Sequence, residues 1–386
     1  MNWWNNWENN EYGKPGYGIW TFDEQLQIGG FQGYALVISS SILVAIVISV
    51  ISCRIRKIPV TEIIIALSVL VPFSLMGASL FGKIGIKGYS HNIIDLIAFW
   101  EAGMAIHGGI LFAAIGATPL AWYVSRKYKI SILAILDSIL PHILLSQAIG
   151  RWGNYFNHEL MGPPMTELSG GSAEALSLSG FWRNLVLYGH GNFYIMHPYF
   201  LYESIGLGLA WALIIGAPYF VSLFSGPNKK YKDQFYINAN DTFKSLFVWN
   251  KEWPHSYQGV WNEAFIDKIN SEERIKYEEN LNTYKTRWQK GKALYKANNP
   301  DNYIVLHSGV KTGAYLFLWN IVRVFLEVSK AEDSLFIKYD KPLSVTLISL
   351  TALAGLAIAL LCQFVAPYVL RKTEYKYEKQ YFYLSK

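Results

Sequence analysis

Long apolar runs constrain this chain more than any other feature. Residues 31–53, 60–82, 104–124, 130–150, 198–224, 313–329 and 344–370 are apolar. Their lengths approach or exceed the ~18 residues needed to cross the hydrocarbon core of a bilayer. In lipid, a backbone N–H or C=O left unpaired is costly, so such runs predict helices. The expected fold is all-α: a polytopic integral membrane protein with about seven transmembrane helices. The 313–329 run is the weakest, being short and carrying Arg323 and Glu327. Of the 386 residues, 52% are hydrophobic and only 16% charged, which excludes an ordinary soluble globule. Phe, Trp and Tyr make up 16%, as aromatic belts at the two membrane interfaces require.

Short loops rich in Lys and Arg mark the cytoplasmic side. Arg54, Arg56 and Lys57 follow the first run, Arg126, Lys127 and Lys129 the third, Lys229, Lys230 and Lys232 the fifth, and Arg371 and Lys372 the last. All fall on one side if the N-terminus is outside and the C-terminus cytoplasmic. Lys83, Lys87 and Lys338 lie on the outer side, so the bias is strong without being absolute. The net charge of +6 reflects these loops, and no nucleic-acid partner is expected.

The chain then divides into an outer amphipathic, aromatic segment (1–30) and a transmembrane region (31–224) with an outer loop at 151–197. A polar, cytoplasmic helical insert (225–311), a second transmembrane region (312–370) and a basic cytoplasmic tail (371–386) follow. Within the insert, 262–298 reads as helix and as a solvated appendage without a chemistry motif. Cys53 and Cys362 suggest neither a disulfide framework nor a metal site, and no metal or cofactor is expected. Val50-Ile51-Ser52-Cys53 loosely resembles a lipobox, but basic residues follow the run instead of preceding it, the wrong polarity for a lipoprotein signal.

Charge at membrane depth is costly and marks working sites. Four constellations carry it. Trp100-Glu101 through His107-Gly108-Gly109 sets a histidine among glycines; a helix starting there exposes free N–H groups that attract phosphate. His107 has a pKa suited to accepting a proton near neutrality. Gly150-Arg151-Trp152-Gly153-Asn154-Tyr155-Phe156-Asn157-His158-Glu159 closes the fourth run, with Gly162 beyond it. Its glycines predict an interrupted helix. Arg151 offers a planar fork for phosphate, and Asn154 and Asn157 can donate without adding charge; an Arg151–Glu159 pair is the structural alternative. His197-Pro198-Tyr199-Phe200-Leu201-Tyr202-Glu203 opens the fifth run. Arg323 and Glu327, at i and i+4, share a helix face. They form either a self-neutralising pair or a second phosphate-binding arginine oriented by Glu327. All four map to the outer half.

At these residues the chain resembles the prolipoprotein diacylglyceryl transferase family of bacterial inner-membrane enzymes. The resemblance implies a reaction: the diacylglyceryl group of phosphatidylglycerol passes to the lipobox cysteine thiol of a preprolipoprotein, leaving glycerol phosphate. It implies His107, Arg151 and Arg323 as catalytic residues. Gly108, Gly109, Asn154, Asn157, Glu159, Gly162, Tyr202, Glu203 and Glu327 are implied as substrate-binding. The implied partners are phosphatidylglycerol, lipobox signal peptides and membrane lipids, and the implied location is the bacterial cytoplasmic membrane. The chain departs from the family pattern at Gln32, where a tyrosine is usual and Tyr34 lies two residues on. It also lacks an arginine after Gly77, with Lys83 the nearest cation, and His158 replaces a small residue. Two other readings stay open: a transporter or channel whose buried charges line a path, and a weakened relative that binds lipoprotein precursors without the chemistry.

Overall fold

A computed structural model describes residues 27–28, 31–83, 92–98, 106–156, 160–189, 192–226, 234, 236–245, 247, 253–266, 272–330, 335–337, 340–372 and 375–377. Strands β1 (Gln27–Ile28) and β2 (Phe31–Gln32) pair antiparallel ahead of α1 (Gly33–Ile55). Helices α2 (Val60–Lys83), α3 (Ile93–Ile97), α4 (Ile106–Tyr128) and α5 (Ile132–Phe156) follow. Next come β3 (Pro164–Leu168), α6 (Gly171–Ser177), α7 (Gly180–Arg183), β4 (Val186–Gly189) and β5 (Asn192–Met196). The long α8 (Tyr199–Ser225) leads to α9 (Ala239–Ser245), α10 (Tyr257–Ile266), α11 (Glu272–Glu279) and α12 (Arg287–Asn298). The chain closes with α13 (Val310–Ser329), α14 (Lys341–Phe364) and α15 (Ala366–Val369).

The chain is mostly helical, and helices form over all seven apolar runs. Among the described residues α1, α2, α5, α8 and α14 are long and apolar enough to cross a membrane. α4 and α13, over the third and sixth runs, are not among those five. Between α5 and α8, strands β3, β5 and β4 add a small antiparallel sheet, in that order, to the expected all-α architecture. Its central hairpin closes with Gly189 opposite Asn192. The sequence between them, His190-Gly191, is a two-residue glycine-containing link of the kind that favours hairpins.

Two compact units divide the chain. The first gathers Met1–Val47, Leu140–Phe220 and Gly309–Val365. Leu144 and Ala148 of α5, Leu207, Ala210 and Ile214 of α8, and Tyr315 of α13 share its main core. Small residues let membrane helices approach closely, because lipid supplies no hydrophobic drive to pack them. A Cβ added at Gly153 would lie 3.0 Å from the Tyr34 ring, and one at Gly33 2.9 Å from Phe156, so glycines seat α1 against α5. A Cβ at Gly313 would come within 2.4 Å of the Ala359 backbone, and one at Gly355 within 2.5 Å of Phe317, which seats α13 on α14.

The second unit gathers Ile48–Ile139, Val221–Ser308 and Ala366–Lys386. α2 and α4 cross where a Cβ on Gly108 would lie 2.2 Å from the Gly77 carbonyl oxygen. Lys83, fully buried at the end of α2, donates to the carbonyls of Asp95 and Ala98 at 2.9 and 2.8 Å and so ties down the α3 segment. The insert is not the solvated appendage its composition suggests. It buries Trp261 and Tyr303 edge to face at 5.3 Å, and Tyr277, Leu294 and Ala297 in a second cluster. α12 docks on α15: a Cβ at Gly291 would meet the Tyr368 carbonyl at 1.9 Å, with Trp288 and Tyr295 packed on the Tyr368 ring. The C-terminal segment reaches further, as Lys376 N–H donates to the Lys129 carbonyl and its own carbonyl accepts from Ser131 N–H. The stretch expected to be helical over 262–298 contains the end of α10, then α11 and α12, with a turn between the last two.

Candidate active site

The first unit brings together charged side chains from three helices. α5 runs unbroken through Gly150 and Gly153 to Phe156, contrary to the expected interruption, because those glycines serve close packing against α1. The helix therefore presents Arg151 and Asn154 one turn apart on one face. Arg151 Nη2 lies 2.7 Å from Glu203 Oε1 of α8. The arginine keeps 27% of its side-chain surface and the glutamate 1%. Charge in such an environment costs ~2.5–3.5 kcal/mol per group on insertion scales, which the pair offsets mutually. The contact is an ion pair without hydrogen-bond alignment, and both buried oxygens of Glu203 lack an aligned donor among the described residues.

Arg323 of α13 is placed differently from the sequence expectation. It makes no ion pair with Glu327. Its guanidinium lies over the Trp319 ring at 5.3 Å and the Phe336 ring at 5.7 Å, within electrostatic reach of Glu203 and Arg151. Two aromatic faces hold a cation by their quadrupoles while leaving its N–H donors free. Among the described residues Arg323 meets no carboxylate within ion-pair distance.

Glu327 is fully buried and serves a local network instead. It accepts from the Phe336 backbone N–H and the Ser344 hydroxyl, and lies 3.3 Å from Lys330 Nζ. By fixing the Phe336 backbone, Glu327 helps hold the ring that covers Arg323. Lys330, Ser344, Trp319 and Phe336 are site residues that sequence reasoning missed. Lys330 and Trp319 had legible signals, the one three residues beyond Glu327 and the other one turn before Arg323 on the same helix; Ser344 and Phe336 act from outside that helix.

Other expected residues are engaged in contacts of their own or are only partly described. Tyr202 points away from its neighbour Glu203, is exposed, and meets His197 Nδ1 through its hydroxyl at 3.1 Å. Gly162 donates its N–H to the His197 carbonyl and sits where a Cβ would be 2.2 Å from the Tyr199 ring, a packing role. Gly108 and Gly109 belong to the second unit and lie in the α2–α4 crossing, where Ser74 donates to the Gly109 carbonyl. α4 is described from Ile106 onward, which puts His107 at the start of its described part. The His107 side chain, and Asn157, His158 and Glu159 altogether, lie outside the described residues.

The cluster of Arg151, Arg323 and Lys330 with Glu203 and Glu327 thus holds three cations and two carboxylates among the described residues. One net positive charge in a low-dielectric setting suits a ligand with one negative charge, such as a phosphodiester. The unaligned oxygens of Glu203 suit hydroxyl donors beside it.

A family model described as prolipoprotein diacylglyceryl transferase matches residues 24–232, more than half of the chain. That stretch contains His107, Arg151, Asn154 and Glu203, whereas Arg323 and Glu327 lie beyond it. A phosphatidylglycerol–prolipoprotein diacylglyceryl transferase of Clostridium botulinum is 36% identical over 174 residues, covering 45% of this chain and 63% of that protein. One of Clostridium kluyveri is 33% identical over 191 residues, covering 49% and 68%. The chain therefore aligns with somewhat under two thirds of the first relative's length.

Proposed function

Since the chain belongs to the prolipoprotein diacylglyceryl transferase family, we propose that it moves the diacylglyceryl group of phosphatidylglycerol onto the lipobox cysteine of a preprolipoprotein. The observation that carries this reading is Arg323, held between two aromatic faces with no carboxylate partner among the described residues, in reach of the Arg151–Glu203 pair. Such a pair of guanidinium groups suits the single charge of a lipid phosphodiester and the second charge that develops as it leaves.

The reaction needs a thiolate. A cysteine thiol, pKa ~8.5, is mostly protonated at neutral pH, so a base must take its proton. His107 is assigned that task. The sulfur attacks the glycerol carbon that carries the phosphate ester, an S–C bond forms, and the C–O bond to phosphate breaks. The leaving glycerol phosphate takes the electron pair, and Arg151 and Arg323 stabilise its oxygens. The proton held by His107 is returned to solvent or to that phosphate. Glu203 and Asn154 accept from and donate to the headgroup hydroxyls, and Asn157 and Glu159 continue that polar wall. Gly108 and Gly109 keep the start of α4 close to α2 and leave its first-turn N–H groups for phosphate. Glu327 acts on Arg323 indirectly, through Phe336. Neither cysteine of the chain is assigned as a nucleophile.

The same reading places the chain in the bacterial cytoplasmic membrane with seven crossings, α4 and α13 completing the five more apolar helices. The N-terminus is outside and the insert cytoplasmic. The test is direct. Purified protein is incubated with phosphatidylglycerol and a lipobox peptide, and the peptide is examined for the mass of one added diacylglyceryl group. A Cys→Ser peptide must gain nothing. No mass gain with folded protein removes the proposal and favours a binding or transport role.

A further inference from the structure

We infer that residues 236–245 with Phe247, early in the insert, form an interfacial anchor whose aromatic face lies in the headgroup layer of the leaflet where α8 emerges, against anionic lipid. Tyr236, Phe243 and Phe247 expose 58%, 61% and 54% of their surface within this short stretch. The two Phe rings lie 5.1 Å apart, so the exposure is a patch and not scattered single residues. Clustered exposed apolar surface signals a contact.

The opposite side of the segment is already occupied. Asn238 N–H donates to the His255 carbonyl at 2.7 Å, and the Thr242 hydroxyl oxygen accepts from Tyr257 N–H at 2.8 Å. The segment is thereby fixed to the body of the insert with its Phe pair facing outward. Lys244 is exposed at its edge, over the Trp253 ring at 5.6 Å.

Continuity with the membrane identifies the occupant. α8, one of the five helices able to cross a bilayer, ends at Ser225. The link from Ser225 to Tyr236 spans at most ~40 Å fully extended, so the patch is within tether reach of the surface where α8 leaves the bilayer. Aromatic rings favour headgroup depth, and Lys244 beside them is drawn to anionic lipid although Asp241 shares its helix. A short amphipathic piece with this pattern lies in the interface.

The test reads depth and does not depend on transfer activity. Phe243→Cys and Phe247→Cys are spin-labelled in the full chain, reconstituted in nanodiscs of phosphatidylglycerol and phosphatidylcholine, and measured by power saturation. Glu279→Cys, exposed elsewhere in the insert, is the aqueous reference. Oxygen accessibility above that of a water-soluble nickel chelate at both Phe positions, and the reverse at position 279, is the expected result. The label should become shallower in phosphatidylcholine alone. Labels that read aqueous in both compositions overturn the proposal and leave the face for a soluble partner. Equal depth in both compositions overturns the anionic part.

Discussion

At the scale of single residues, the reading turns on which acid meets which base. Arg151 pairs with Glu203, and Glu327 with Lys330 rather than Arg323, while Glu159 lies outside the described residues. Breaking a buried pair from one side costs ~3–5 kcal/mol because the remaining charge is stranded. Arg151→Ala should therefore lower stability by about that amount in detergent melts and abolish lipobox transfer. Adding Glu203→Gln should restore most of the stability and none of the transfer, which separates the structural share of the pair from its chemical one. Ser344→Ala removes a hydroxyl donor from a buried carboxylate and should cost ~1.5–3 kcal/mol in the same melts; Ser344→Thr keeps the donor and should cost less. The arginines were legible in the sequence because charge inside an apolar run demands a reason. Their partners were not, since i, i+4 spacing on α13 suggested a pair that Lys330, Ser344 and the Phe336 backbone claim first. Arg323 is fixed by ring faces contributed by Trp319 and Phe336, and no spacing rule announces a contact between a helix and the loop that follows it.

At the scale of elements, glycine was the hardest residue to interpret. Gly150 and Gly153 read as helix looseners, yet both sit inside a continuous helix and face α1, Gly153 at close range to the Tyr34 ring. Membrane helices tolerate this because neighbouring helices satisfy and shield the backbone. A graded prediction follows for the α2–α4 crossing. Gly108→Ala drives a methyl onto the Gly77 carbonyl and should cost ~1–3 kcal/mol or more. At Gly109 the nearest atoms are 3.3–3.4 Å away, so Gly109→Ala should cost clearly less. Thermal melts of the two variants check the order, and equal losses would refute the close crossing. The apolar runs predicted helix positions well, with ends shifted by a few residues, because length and hydropathy alone set what can cross lipid. The small sheet between α5 and α8 was missed because its strands are only four or five residues long.

At the scale of the whole molecule, the insert is the part composition described worst. Its polarity suggested a solvated appendage, while its core depends on Trp261, Tyr277 and Tyr303, and its anchorage on Gly291 against Tyr368. Gly291→Val should undock α12, visible as faster proteolysis within 272–298 while the apolar helices stay protected. Alkaline pH should loosen the same region. Burial first, and then nearby Tyr284 and Glu278, push the Tyr277 phenol up to about 12 from an ordinary 10.0. Unfolded chain then loses this proton before folded chain does, so the stabilisation is complete below pH ~10 and is lost between there and about 12. Hydrogen exchange of α11 and α12 across that range reads it, and a Tyr277→Phe variant should lose the pH dependence. The hydrogen bonds between Lys376 and the turn at Lys129–Ser131 bear on the order of synthesis. That turn is translated well before its partner, which arrives tens of seconds later at ~5–20 residues per second. The seam between them therefore closes late, and a nascent chain halted before Lys376 would hold its earlier membrane helices with that seam still open.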